Sequence, residues 1–378
     1  MATILIISFS DLKRDPRVYR QIKALRPHHT VITAGTGDPG LPDVRFISCN
    51  VRPRSIQQKT LDALTLIIGR HDFYYWNMLH IVELDTKLQE LRFDLAIAND
   101  IEALPLALKV AQGSPVILDA HEYSPLEFED RWWWRWCFAP YATEMCRRYM
   151  RKAATVTTVC QGIADRYEKE FGIRAEVITN APHFHDLSVR HTEGAAIRLI
   201  HHGAAIASRR IELMIELMDY LDERFSLDFV LVPGKPEYLE WIRHCATGKP
   251  KIRFLQPVPM NQLVTLSSQY DIGLFLLPPT NFNYEMALPN KFFEFLQARL
   301  AVAIGPSPEM GRIVREFECG VVAEDFTPRS LAGALSALTT QDIDRMKKGA
   351  DRAAHVHHAE NNDKRLCALI DSVIAGGR

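Results

Sequence analysis

Asp271-Ile272-Gly273-Leu274-Phe275-Leu276-Leu277, followed after the polar loop 278–286 by Leu288-Pro289-Asn290-Lys291-Phe292-Phe293-Glu294, reads as a strand, a connection and the opening of a helix. Pro289 suits the first helical position, where a missing N–H costs nothing. A strand that feeds a helix N-terminus gathers free N–H donors and the positive end of the helix dipole at one point, which favours an anion. Lys291 adds a full positive charge there, beside Pro289 and Asn290. Glu294 lies three residues on, on the same face, and can accept two hydroxyl hydrogen bonds. A cation for a diphosphate next to a carboxylate for a ribose suits a nucleotide-sugar ligand. The competing reading is a surface ion pair, worth about a few tenths of a kcal/mol.

Working outward, short apolar runs alternate with helical patterns, which predicts parallel α/β sheets. Strands are expected at 3–8, 31–34, 95–98, 116–119, 155–159 and 176–179, with helices over 17–25, 60–91, 103–111 and 161–170. The polar stretch 184–196 lacks periodicity and reads as a linker. A second series follows at 197–203, 229–232, 252–254, 271–276, 301–304 and 321–323. The expected organisation is an N-terminal domain over 1–183, a C-terminal domain over 197–360, and a last helical segment over 361–378 that packs on either domain. The fold class is therefore α/β: two Rossmann-like doubly wound domains facing a central cleft, with strand C-termini turned toward the ligand.

Bulk properties narrow the function classes. At 378 residues the chain exceeds one ordinary core. A net charge of −1 argues against a nucleic-acid binder. The seven cysteines form no CxxC pair, which points to reduced thiols and away from a disulfide frame or a zinc site. The apolar run Ile4-Leu5-Ile6-Ile7 has no basic flank or small-residue cleavage site and reads as a buried strand. No apolar stretch approaches the ~18 residues that span a bilayer. The expected location is cytoplasmic.

Several further constellations stand out. Gly203 opens a small-residue turn that ends in Arg209 and Arg210, directly before a helical pattern over 211–221. Two cations at a helix start oppose its dipole unless an anion binds them; solvated arginines are the alternative. Asn283 and Glu285 sit in the polar loop and could take sugar hydroxyls, or simply face water. Asp119-Ala120-His121-Glu122 closes a strand, where His121 could donate to a hydroxyl or a phosphate, and where a structural polar network is equally open. The loop after the first strand lacks GxGxxG, so a dinucleotide there is not expected. Its Ser8, Ser10, Asp15 and Arg17 are candidates to touch an acceptor or a donor phosphate. Trp132, Trp133, Trp134 and Trp136 lie among Arg131, Arg135, Arg147 and Arg148. Trp and basic side chains favour an anionic bilayer surface, and core packing is the other reading.

These features together resemble glycosyltransferase family 4, retaining enzymes of the GT-B fold, in particular those of polysaccharide biosynthesis. The resemblance is carried by Asp15-Pro16-Arg17-Val18, Asp119-Ala120-His121-Glu122, Ile178-Thr179-Asn180-Ala181-Pro182, the turn after Gly203, and the 288–294 segment. It implies a nucleotide diphosphate sugar held by the C-terminal domain, with no metal and no further cofactor. In that picture Glu294 meets the ribose, Lys291 and one of Arg209 and Arg210 neutralise the diphosphate, and His121 faces the donor sugar. The acceptor would be a glycan or a lipid-linked molecule at the inner face of the cytoplasmic membrane. Two departures exist: eight residues separate Glu285 from Glu294 where the family has seven, and Ala204 replaces a frequent arginine. A sugar-nucleotide 2-epimerase and a non-catalytic binding partner are the rival readings. The epimerase would need more acid and base groups than Asp119, His121 and Glu122.

Overall fold

A computed structural model describes residues 1–50 and 55–376. The chain forms two compact units. Unit 1 takes in Met1–Thr179, Asn281–Asn283 and Asn362–Arg378, and unit 2 takes in Asn180–Thr280 and Tyr284–Asn361. The last two residues of the expected 361–378 segment lie outside the described ones.

In unit 1 the strands are β1 (Thr3–Asp11), β2 (Thr30–Thr36), β3 (Arg45–Ser48), β4 (Leu95–Asn99), β5 (Val116–Ala120), β6 (Thr155–Thr158) and β7 (Ala175–Val177). They form one parallel sheet in the order β3-β2-β1-β4-β5-β6-β7. Ile4 to Ile7 are fully buried, as expected of a central strand covered by helices on both faces. The final helix, Ala359–Gly376, adds Leu366 and Ile370 to that core. β3 was not expected from sequence. It is an edge strand with only half-buried side chains, so the apolar signal is weak.

The expected helix over 60–91 is in fact three, Ile56–Ile67, His71–Trp76 and Leu79–Leu88. Gly69 in a left-handed conformation (φ +74°) ends the first.

Unit 2 contains β8 (Ile197–Ala205), β9 (Phe225–Pro233), β10 (Ile252–Leu255), β11 (Ile272–Phe275), β12 (Ala301–Ile304) and β13 (Gly320–Val322). All are parallel, in the order β10-β9-β8-β11-β12-β13. Each sheet therefore has one switch point where strand order reverses, at β1/β4 and at β8/β11. In open parallel sheets the ends of those strands are where ligands bind.

The helix Asn290–Gln297 is buried on every side from Lys291 to Gln297, which makes it a core helix. Gly273 of β11 permits this, because a Cβ there would lie 2.3 Å from the Phe295 ring. All seven cysteines are free thiols. No helix among the described residues is long and apolar enough to cross a membrane.

Candidate functional site

In unit 2 the decisive geometry lies at the end of β8 and the start of the helix Asn290–Gln297. Lys291 and Glu294 are only 7% and 8% exposed, so the surface ion-pair reading is set aside. Pro289 is the residue before the first helical one, not the first, and its carbonyl accepts from the Phe292 N–H at 3.1 Å. Asn290 is thus the first residue of the helix, half-buried.

The Lys291 Nζ lies 3.4 Å from His201 Nε2 and 4.5 Å from the centroid of the Phe275 ring. His201 bonds to the Leu274 carbonyl through Nδ1 at 2.8 Å, so Nδ1 carries the proton and Nε2 is left to accept from the ammonium. Burial, then Lys291, holds His201 well below the usual histidine range. Burial likewise pushes the Lys291 ammonium well down, with Arg209 adding to it and Glu294 opposing. His202 Nδ1 stands 3.6 Å from Glu294, while His202 Nε2 is buried without a partner. Burial and Lys291 lower His202 to about 3.

Gly203 has φ +128°, and a Cβ there would lie 2.9 Å from the Lys291 Nζ. The positive φ favours glycine, and a side chain here would push the ammonium away from the strand end.

The arginines separate. Arg209 ends a short 3-10 turn, half-buried and near Lys291, with no side-chain partner seen among the described residues. Arg210 adopts a left-handed conformation, is exposed, and pairs with Glu212 at 2.7 Å. The helix expected over 211–221 is the shorter Glu212–Leu217. Glu285 is exposed on the one-turn helix Phe282–Glu285. Asn283, grouped with unit 1, clamps the backbone of Tyr123, accepting from its N–H at 2.7 Å and donating to its carbonyl at 3.2 Å.

In unit 1 the strand ends carry a closed network. Arg17 grips the buried Asp119 with Nε at 2.8 Å and a terminal nitrogen at 2.6 Å, and donates to the Ile178 carbonyl at 2.8 Å. Thr157 Oγ1 at 2.7 Å and Gln21 Nε2 at 3.3 Å complete the carboxylate's shell. Burial opposes ionisation of Asp119, but Arg17 and His121 outweigh it and hold the carboxyl far below the usual range. His121 sits between Asp100 at 3.3 Å and Asp119 at 3.4 Å. Burial pushes His121 down, yet the two carboxylates raise it to about 9, so it is an imidazolium at neutral pH.

Asp15 is the N-cap of the helix Pro16–Leu25, accepting from Arg17 N and Val18 N. Ser8 and Ser10 hydroxyls bond each other at 2.8 Å. Glu122 is exposed, beside His121. Four of these candidates thus have structural duties: Asp15 caps, Arg17 and Asp119 pair, and Asn283 clamps.

Sequence reasoning missed His201 and His202, and Asn99 and Asp100, although in each case a polar pair interrupts an apolar strand at its C-terminal end. Asp100, at φ +66°, bonds the His121 N–H and helps to charge its ring. Among the described residues no group of three or more His, Cys, Asp or Glu side chains is placed to hold a metal.

Residues 16–182 match the family described as glycosyl transferase 4-like domain. The whole chain has the GT-B fold of glycosyltransferases. It is similar to Anabaena HepE in complex with UDP and glucose, at 13% identity and TM-score 0.70, covering 98% of this chain and 100% of that one. Sucrose-phosphate synthase from Thermosynechococcus elongatus is similar at 12% identity and TM-score 0.74, with both chains fully covered. The structure of trehalose-6-phosphate from Escherichia coli bound with UDP-2-fluoro glucose is similar at 10% identity and TM-score 0.69, over 98% of this chain and 99% of that one. By sequence, no curated protein matches the chain. The family match starts at Pro16 and runs through the Arg17–Asp119–His121 network of unit 1.

Proposed function

We propose that the protein is a retaining, metal-independent hexosyltransferase that takes its sugar from a UDP-sugar. The single observation that carries this reading is the buried Lys291 ammonium. Its only side-chain hydrogen-bond partner among the described residues is a neutral imidazole, and a second cation, Arg209, lies nearby. Glu294 acts on that ammonium but Arg209 opposes it, and an under-compensated buried charge is costly, a cost that a bound anion would lower. A diphosphate at the end of β8 would meet Lys291, Arg209 and the backbone beside Gly203. Glu294 then serves the ribose hydroxyls. Similar folds that bind UDP and UDP-glucose support the choice of nucleotide.

The chemistry follows from charge. As the bond from C1 of the sugar to the diphosphate oxygen breaks, negative charge grows on the phosphate. Fixed cations stabilise that charge more in the transition state than in the ground state. The acceptor oxygen bonds to C1 on the face the phosphate leaves, so configuration is retained. Its proton passes to the departing phosphate oxygen, so no protein base is needed. His121, held protonated, is assigned to a hydroxyl of the donor sugar. Arg210 and Glu285 take no part in this version.

The acceptor is proposed to be a glycan or a lipid-linked molecule of bacterial surface-polysaccharide synthesis. Trp132 and Trp136, 69% and 73% exposed beside Arg131 and Arg135, are assigned to an anionic lipid surface. Trp134 is excluded from that role, because it stacks on Phe138 at 5.3 Å. The 2-epimerase reading loses ground, since Asp119 is locked to Arg17 and is not available as an acid or base.

Radiolabelled UDP-sugars incubated with membrane extracts test the reading. Lys291→Ala and Glu294→Ala should each cut transfer by orders of magnitude with folding intact. Near-normal turnover in both would refute the assignment.

A further inference from the structure

Apart from the diphosphate site, unit 1 holds a cavity of about 300 Å³ lined in part by His121. That volume is at the lower end for small-molecule pockets. Four carboxylates line it: Asp100, Glu102, Glu122 and Glu127. The one base among them, His121, is already matched by Asp100 and Asp119. Neither the Glu102 nor the Glu127 carboxyl has a side-chain partner among the described residues.

Tyr141 supplies an independent sign. It is 2% exposed and lines the cavity, yet its hydroxyl is buried with no hydrogen-bond partner. Trp134 Nε1, on the same wall, is also buried and unpartnered. Orphaned buried donors are rare in folded proteins, and two on one cavity are free to bond a ligand group or a water that enters it. Burial raises Tyr141 strongly, and Glu102 is the next cause, which places that carboxylate close by. Burial raises Glu127 to about 9, with Glu122, Asp100 and Glu102 adding to it. Glu127 therefore holds its proton in the free protein at neutral pH, and a cation bound beside these carboxyls would favour their ionised forms. The carboxylates do not converge as a metal set. The other walls are aromatic, with Trp134 at 5.0 Å from Phe128 and stacked on Phe138, and aromatic faces favour an organic cation.

We propose that this cavity binds a small organic ammonium group, held by Glu102 and Glu127 with the Tyr141 hydroxyl and seated against Trp134 and Phe128. On the transferase reading, and resting on it, the ligand is an acceptor that carries a free amine. The binding claim itself does not depend on the donor.

The test uses the full chain with glucosamine as probe and glucose and N-acetylglucosamine as matched neutral controls, titrated calorimetrically at pH 7. Glucosamine should bind about tenfold or more tightly than either control, the worth of one charge-assisted hydrogen bond. Glu102→Gln and Glu127→Gln should each weaken it by a similar factor, and Tyr141→Phe by a few-fold, with UDP affinity unchanged in all three. Equal affinity for glucosamine and glucose would make this a neutral polyol pocket and overturn the proposal. So would an absence of glucosamine binding at millimolar concentration, or full affinity in both glutamine variants. The wild-type comparison needs no variant to fold. Loss of UDP binding with amine binding kept would sink the donor assignment and leave this one standing.

Discussion

Unit 1 and unit 2 each place charged side chains at a switch point, but they treat those charges differently. At β1/β4 and β5, Arg17, Asp119, His121 and Asp100 answer one another within 3.4 Å, so the network is closed. At β8/β11, Lys291 and Arg209 are two cations with a neutral imidazole between Lys291 and the sheet. A closed network holds shape and fixes protonation. An open one stores a demand for a ligand of opposite charge. On the proposed reading, the first network positions side chains and the second binds the anion.

The largest effect should come from opening the closed network. Arg17→Ala leaves Asp119 buried without its cation, and loss of one member of such a pair costs about 3–5 kcal/mol. Chemical denaturation should show unit 1 weakened by that amount, with UDP affinity of the folded protein kept. If stability is unchanged, the network is not closed as described.

Next, Lys291→Met should weaken UDP binding by about 100-fold or more, as truncation of a buried charge contact does. It should leave or raise the melting temperature, because a desolvated basic group is removed. Lys291 is depressed in the free protein and a diphosphate would restore its charge, so UDP binding should take up a proton. Calorimetry in buffers of different ionisation enthalpy measures that uptake, and it should vanish in the methionine variant.

The pH dependence of unit 1 should be smaller. His121 is raised from 6.5 to about 9 on folding. Its stabilising contribution is therefore fully present below pH 6.5 and is lost as pH rises through 9, on the order of 3 kcal/mol. Melting followed across that window should decline in the wild type and flatten in His121→Gln.

Gly203→Ala should displace the Lys291 ammonium by crowding and weaken UDP binding about tenfold, with a strained φ as a second cost of about 1 kcal/mol. The smallest effect belongs to Arg210→Ala, whose guanidinium meets only Glu212 in solvent, a pair worth about 0–1 kcal/mol. Turnover that collapses in this variant would place Arg210 at the phosphate after all.

Much of this was legible in the chain. The apolar runs at 3–8 and 271–276 announced parallel strands because central strands are buried on both faces and need no alternation. β3 was not legible, since an edge strand half in water carries little periodic signal. The split of the 60–91 helix turned on Gly69, a local conformation that a periodicity reading passes over. The nearness of Lys291 and Glu294 could be read from the chain because helix spacing puts them on one face. Their neighbours His201 and His202 were not, because they lie about 90 residues away and meet Lys291 only through the β8/β11 pairing.

The sequence by itself determined the alternation of strands and helices, and with it two parallel-sheet units, because hydrophobic period and turn chemistry are local properties. Only the tertiary structure decided which charges are answered. Arg17 finds Asp119 across 102 residues, and Lys291 meets the neutral imidazole of His201 across 90, since pairing and burial depend on distances that chain order does not encode.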